Sequence, residues 1–306
     1  MIYAIGAFDG FHKGHQTLLV RAARLAAERG TGWGVITFDA HPRTILKGGF
    51  RLLFTYSERD IIAKALSIPC IEKMHFTREF AALTPHEFTD YLAERCKVDG
   101  FVVGENFRFG KDRAGDPKLL AELAHERGWS LDVIPSYMID GCVVSCTEIR
   151  KAVSAGNMHL AADYLGYPFF AGGKVVKGDA RGRKLGFRTA NISLEPGKIY
   201  PPDGVYAALT YIEGKWRTAA LNIGSNPTFE GVRIHRCEAH ITNFSGELYE
   251  TSMGLFIVAQ IRGEKKFSGA DELIKQINED KSLCEKFCAK YLAAHKVTLD
   301  KFAAVL

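Results

Sequence analysis

The sequence predicts two domains of different class: an α/β domain with a doubly wound, mostly parallel sheet over residues 1–166, and an antiparallel all-β domain, barrel or sandwich, with a terminal helix over residues 167–306. Three observations carry this. A chain of 306 residues is about twice a typical domain, so a second core is expected. Up to about residue 166, short apolar runs alternate with helical patterns. Beyond Leu165-Gly166-Tyr167-Pro168 the texture changes to glycine-punctuated β segments.

In the first half, Tyr3 to Ile5, Gly34 to Phe38, Phe101 to Val103 and Leu131 to Ile134 read as buried strands. Leu18, Leu19, Ala22, Ala23, Leu25 and Ala26 form one helical stripe, stopped by Gly30. Thr84-Pro85-His86-Glu87 opens another helix, with Thr as cap, Pro in the first turn and Glu completing a capping box. In the second half the β segments are Gly173 to Val176, Gly204 to Tyr211, Trp216 to Ile223, Cys237 to Thr242 and Leu255 to Ile261. A helix from about Ala270 to Ala294 carries Leu273, Ile274 and Ile277 on one face.

Composition excludes several function classes. With 47% hydrophobic and 25% charged residues, the chain is neither collagen-like nor disordered. Met1-Ile2-Tyr3-Ala4-Ile5-Gly6 is no leader, and no run reaches the roughly 18 apolar residues of a membrane span, so a cytoplasmic location without membrane contact is expected. Seven cysteines, an odd number with no C-x-x-C pair, argue for reduced thiols and against structural zinc. A net charge of +5 without a basic stripe suits anionic metabolites and gives no reason to expect nucleic acid.

The first chemical motif follows the first strand: Gly6-Ala7-Phe8-Asp9-Gly10-Phe11-His12-Lys13-Gly14-His15. Glycines let backbone approach phosphate, a helix N-terminus offers free N–H groups, and two histidines three apart can address one anion. Alone, His12 and His15 read equally well as capping or surface histidines; their place after a strand favours phosphate chemistry, in which charge on an α-phosphate and a departing pyrophosphate is stabilised without a covalent intermediate. Val144-Ser145-Cys146-Thr147-Glu148-Ile149-Arg150 sets hydroxyls and an Arg before another helix, as a phosphate-side partner or a simple cap. Thr37-Phe38-Asp39-Ala40-His41-Pro42 and Gly104-Glu105-Asn106-Phe107-Arg108-Phe109-Gly110 end two other strands, where an α/β sheet places ligand contacts; Phe109 reads better as core.

The second half opens with Gly173-Lys174-Val175-Val176-Lys177-Gly178, then Gly182-Arg183-Lys184-Leu185-Gly186-Phe187-Arg188-Thr189-Ala190-Asn191. Asp179 stands where a Walker A loop needs Lys, but dense glycine still makes anion-binding nests. On a strand, Thr189 and Asn191 share a face and could present oxygens to Mg²⁺; as a lone T-x-N they would be a polar strand face. Glu238 shares a predicted strand face with His240, and is either solvated or a general base for an alcohol attacking ATP.

Taken in order along nearly the whole chain, these segments resemble the bacterial bifunctional riboflavin kinase and FAD synthetase family: G-x-F-D-G-x-H-x-G-H, T-F-D-x-H-P, G-E-N-F-x-F-G and an S-S-T-x-I-R-like stretch, then G-R-x-L-G-F-x-T-A-N, N-I-G-x-x-P-T-F, E-x-H and Ile261-Arg262-Gly263-Glu264-Lys265-Lys266-Phe267. The resemblance implies an FMN adenylyltransferase domain at 1–166, a riboflavin kinase barrel at 167–306, and Mg²⁺ with ATP, with riboflavin, FMN and FAD as substrates and products and no obligate protein partner. It implies that His12 and His15 hold ATP phosphates within a nucleotide site that includes Gly6, Phe8, Asp9, Gly14, Asn106, Ser145, Thr147 and Arg150. In the kinase it places Gly173, Lys174, Gly178, Thr189 and Asn191 at the nucleotide, the last two also at the metal, with Glu238 as base and Arg262 and Phe187 near the flavin. Three departures stand out: Cys146 where the family has the second Ser, Arg188 for the Pro of P-T-A-N, and a first strand starting at Met1 without the expected preceding segment. A nucleotidyltransferase for another metabolite and a non-enzymatic flavin sensor are the rival readings. A tRNA synthetase fragment would need a K-M-S-K-S-like loop, which is absent.

Overall fold

A computed structural model describes residues 1–177, 187–227 and 233–306; the predicted nucleotide residue Gly178 and the stretch Gly182 to Gly186 lie outside the described residues. Packing divides the chain into two units, Met1–Leu52 with Ile62–Cys146, and Leu53–Ile61 with Thr147–Leu306. These units do not follow a cut at residue 166, because a short segment of the first half packs with the barrel.

The first unit is built on a five-stranded parallel sheet of β1 (Ile2–Ile5), β2 (Trp33–Phe38), β3 (Ile71–Met74), β4 (Gly100–Gly104) and β5 (Ser130–Ile134), in the order β3-β2-β1-β4-β5, followed by a short antiparallel ribbon of β6 (Met138–Ile139) and β7 (Cys142–Val143). Helix α1 (Lys13–Glu28) buries Leu18, Leu19, Ala22, Leu25 and Ala26, the stripe read from the sequence except for Ala23, which is half-buried. β1 is buried along its length, as a central parallel strand covered on both faces must be. The chain leaves β1 toward β2 and β3, then returns on the other side for β4 and β5, so the sheet switches direction between β1 and β4. Ligands of such sheets bind at the carboxyl ends of the strands beside that switch. The capping box at Thr84 is formed in full: Thr84 N–H donates to Glu87 Oε2 at 2.8 Å and Glu87 N–H to Thr84 Oγ1 at 3.3 Å. Leu131 to Ile134 departs from expectation, since β5 is an edge strand and Val133 is 45% exposed. Phe109 is core, as expected, with Phe107 packed partly buried against the same cluster.

The second unit resolves the choice between barrel and sandwich. Strands β8 (Phe169–Val176), β9 (Ala190–Leu194), β10 (Gly204–Ile212), β11 (Lys215–Pro227), β12 (Arg233–Ile241) and β13 (Ser252–Gly263) close in the order β10-β11-β12-β9-β8-β13. Pairing of β10 with β13 completes the ring. The closing helix runs Ala270–Ala303, past the expected end near Ala294, through a non-helical residue at His295. Its buried stripe is Asp280, Cys284, Cys288, Tyr291, Leu299 and Phe302, whereas Leu273, Ile274 and Ile277 are only half-buried. Cys284 and Cys288 donate their thiols to the carbonyls of Tyr206 and Ala208 on β10.

The segment Leu53–Ile61 enters this unit through a buried ion pair. Lys198 Nζ donates to both Glu58 oxygens and to the Phe170 carbonyl, each at 2.6 Å. The rings of Phe54, Phe169, Phe170 and Tyr200 lie 4.8 to 5.8 Å from the same ammonium. Such a cage favours a desolvated cation through the ring quadrupoles, and the carboxylate neutralises it.

Candidate active sites

In the first unit the turn after β1 is backbone-strained. Phe8 (φ 45°), Gly10 (φ 104°) and Phe11 (φ 40°) all lie in the left-handed region, which is costly for the two aromatics. Both rings are buried and stack at 5.2 Å, which offsets the strain, and Gly10 supplies the position that no side chain favours. The turn delivers His12 to the N-cap of α1, where its Nδ1 accepts the His15 N–H at 3.3 Å. The two imidazoles stack at 3.6 Å, and Phe8 meets His15 edge-on at 5.0 Å. Burial pushes the His12 imidazole down to about 4, so it is neutral near pH 7. A side chain at Gly14 would press on the His12 ring at 3.2 Å, which accounts for glycine there.

Sequence-distant segments converge on this turn. The Cys146 thiol donates to the Asp9 carbonyl at 3.1 Å, bringing the Ser145 segment to the Gly-rich turn, and buried Thr37 at the end of β2 donates its hydroxyl to the Ala7 carbonyl at 3.2 Å. Asp9 is itself buried, and Gly6 opens the turn beside the Phe8 ring. Asn106 is exposed just beyond β4, across the switch from the turn after β1. Thr147 and Arg150 stand one turn apart on a helix spanning Cys146–Ser154, exposed and half-buried respectively. The arrangement at the turn offers backbone N–H groups, two histidines and hydroxyls to an anion.

In the barrel, register places Asn222, Glu238 and Asn191 in one row across β11, β12 and β9. Directly opposed residues of antiparallel strands point to the same face. Glu238 is half-buried, and Cys237 and Ala239 on either side of it are buried on the other face. Thr189, two residues before Asn191, lines with it a cleft of about 340 Å³ that also includes Arg188, Glu247 and Tyr249. His240 hydrogen-bonds the Arg188 carbonyl at 2.9 Å and takes the Phe187 ring edge-on, holding the segment before β9. The Arg188 guanidinium donates to the Ser245 carbonyl at 3.0 Å.

The other expected residues have structural partners of their own. Gly173 is required by a close strand approach, since a Cβ there would fall 2.3 Å from the Ser193 carbonyl oxygen. Lys174 pairs with Glu250 at 2.5 Å. Arg262 is engaged bidentately by Asp280 of the closing helix at 2.8 to 3.1 Å, so the structure gives it a docking partner. Sequence reasoning missed Asn222 and the 244–249 wall of the cleft. The first was visible only as part of N-I-G-x-x-P-T-F, and the second has no motif.

Comparison with known proteins adds the following. The riboflavin kinase family profile matches residues 165–288 and the FAD synthetase profile residues 1–148. The chain is 31% identical over 292 residues to a bifunctional riboflavin kinase/FMN adenylyltransferase of Listeria monocytogenes, covering 94% of this chain and 93% of the relative. It is 33% identical over 291 residues to the protein of that description from Escherichia coli K12, covering 94% and 92%. A solved structure described as a macrolide-efflux protein from Streptococcus pneumoniae superposes with a TM-score of 0.85 at 29% identity, covering 93% of each chain.

Proposed function

Because the chain belongs to the bifunctional riboflavin kinase/FMN adenylyltransferase family, we propose that its two activities divide between the two motif sets, with ATP as donor in both. It is a riboflavin kinase that makes FMN and an FMN adenylyltransferase that makes FAD. Residues 1–166 would carry the adenylyl transfer and 167–306 the phosphorylation.

One positional observation supports the division. His12 caps a helix, and His15 stands in its first turn, at the switch point of a parallel sheet, whereas Glu238 and Asn191 stand side by side on the barrel. In the first site the FMN phosphate attacks the α-phosphate of ATP and pyrophosphate leaves. The helix N-terminus, His12, His15, Ser145, Thr147 and Arg150 stabilise the charge that builds, while Gly6, Phe8, Asp9, Gly14 and Asn106 shape the nucleotide pocket. A neutral His12, its Nδ1 accepting from backbone, has its remaining N–H to donate.

In the second site Glu238 takes the proton of the ribityl 5′-hydroxyl as that oxygen attacks the γ-phosphate. Asn191 on β9 and Thr189 just before that strand line one cleft and offer only oxygen and amide groups, a donor set that suits a hard cation, and they would hold Mg²⁺ with Asn222 as a neighbour of Asn191 in the row. Mg²⁺ bound there neutralises charge on the transferring phosphate. Gly173 and Lys174 flank the nucleotide, and Phe187 and Arg262 the flavin. All seven cysteines are free thiols, in keeping with a cytoplasmic enzyme that takes only small-molecule substrates. No described helix is long and apolar enough to cross a membrane.

The test is incubation of the purified chain with riboflavin, ATP and Mg²⁺, followed by chromatography. FMN should appear first and FAD after it. Failure of either product in folded protein refutes the assignment of that site.

A further inference from the structure

The departure at Cys146 changes the chemistry of the first site. Serine there would offer a hydroxyl, a poor ligand for borderline-soft metals; cysteine offers a thiolate. The donor atoms of His12, His15 and Cys146 all lie within 4.8 Å of one another. In a tetrahedral site with Zn–N ~2.0 Å and Zn–S ~2.3 Å, two nitrogens and a sulfur sit about 3.3–3.5 Å apart. Closing the trio therefore needs up to about 1.5 Å of movement, within reach of side-chain rotation.

The surroundings prepare the cluster. His12 is 6% exposed, and the imidazoles lie face to face at 3.6 Å and 19°, so their donor atoms are close but one ring must turn about its side-chain bonds before both in-plane lone pairs meet one ion. The Cys146 thiol is held at the turn by the Asp9 carbonyl. The bond that coordination through His12 would disturb, His15 N–H to His12 Nδ1, is long at 3.3 Å. Two imidazoles and a thiolate make an N₂S set that selects Zn²⁺ or Co²⁺ and discriminates against Mg²⁺.

We propose that His12, His15 and Cys146 form a binding site for a borderline-soft divalent cation, Zn²⁺ above all, which occupies the place of the ATP phosphates and blocks FAD formation. Binding converts the thiol to a zinc-bound thiolate and releases one proton to solvent; water fills the fourth position. The metal site stands on the donor geometry alone. Its inhibitory effect rests on the reading of His12 and His15 as the phosphate-binding pair.

The experiment uses the full-length chain under reducing conditions, with Co²⁺ as spectroscopic probe and Zn²⁺ as competitor. One equivalent of Co²⁺ should bind with a near-ultraviolet thiolate-to-metal charge-transfer band, and Zn²⁺ should abolish the band. Cys146→Ser should remove the band and weaken Co²⁺ binding at least about 100-fold, whereas Cys142→Ser, at an exposed cysteine nearby, should keep it. Absence of the band in the unaltered chain, or its persistence in Cys146→Ser, overturns the site, and the first result needs no variant to fold. ATP without Mg²⁺ should compete with Co²⁺, and Zn²⁺ should suppress FAD formation from supplied FMN while FMN formation from riboflavin continues. A band with unimpaired FAD formation keeps the metal site and overturns the placement of ATP phosphates on these histidines.

Discussion

Replacing Glu58 with Gln should destabilise the barrel unit far more than an ordinary surface substitution would. The Glu58 and Lys198 side chains are 3% and 0% exposed, and the ammonium is 2.6 Å from both carboxylate oxygens. Gln keeps the shape but leaves a buried cation without its carboxylate, beside the Phe170 carbonyl and the surrounding rings. The new amide NH₂ must also face Lys198 or the N–H groups of Gly172 and Thr55, which now donate to the carboxylate at 2.7 and 2.8 Å. Breaking one side of a buried pair costs about 3–5 kcal/mol. In a unit of roughly 170 residues, each kcal/mol moves Tm by about 2–4 °C, so the expected fall is about 6–20 °C. Scanning calorimetry should show it in the kinase transition, with kinase activity lost on heating before adenylyltransferase activity. Adding Lys198→Met should recover more than half the loss, because an apolar chain suits the ring cage once the carboxylate is gone. A shift below about 2 °C, or no recovery in the double variant, refutes the idea that this pair holds Leu53–Ile61 in the barrel. By the same reasoning, a protein starting at Gly166 loses both Glu58 and Phe54, and should fold as a kinase only when Leu53–Ile61 is restored to it.

His15→Asn should lower FAD formation by on the order of 10²- to 10³-fold with FMN formation unchanged; equal loss of both in folded protein contradicts the site. Glu238→Gln should do the reverse, cutting phosphorylation by roughly 10²- to 10⁴-fold with riboflavin binding kept, and near-normal FMN production would return Glu238 to a solvated strand face. His12 titrates near 6.5 unfolded and about 4 folded, so between those values the unfolded chain gains a proton that the native one lacks. Stability of the first unit should therefore decline by about 3 kcal/mol as pH falls through that window, and denaturant unfolding should show a flatter profile in His12→Gln. Arg188→Pro removes the bond to the Ser245 carbonyl at the cleft, and should shift KM for MgATP more than kcat; restoration of a missing kinase activity by this change would favour a flavin sensor.

What was legible in the sequence was what is determined locally. The Gly-rich turn, its two histidines and the helix behind them lie within ten residues, so their chemistry and spacing could be read together. Thr84 and Glu87 satisfy each other's backbone within one helical turn, and that box formed as read. Features set by distant pairing were not legible. Leu131 to Ile134 is apolar enough for a central strand, but β5 has no outer neighbour among the described residues, and only topology decides that. Closure of β10 on β13 is equally remote, so alternation alone left barrel and sandwich open. Glu58 is the sharpest case, because its local role conceals the distant one. Thr55 and Glu58 form a reciprocal cap, which accounts for a carboxylate at that spacing as a routine surface feature. Nothing nearby shows that the same carboxylate also meets Lys198, 140 residues on. Gly173 shows the converse: glycine density suggested phosphate, and the backbone of β9 separately demands glycine there. A residue already explained by its neighbours in sequence can still carry a second role, and one that looks functional can also be required by packing. Cys146 carries a second role of another origin, since its hydrogen bond to Asp9, 137 residues away, accounts for its position but not for the two imidazoles within reach of its sulfur.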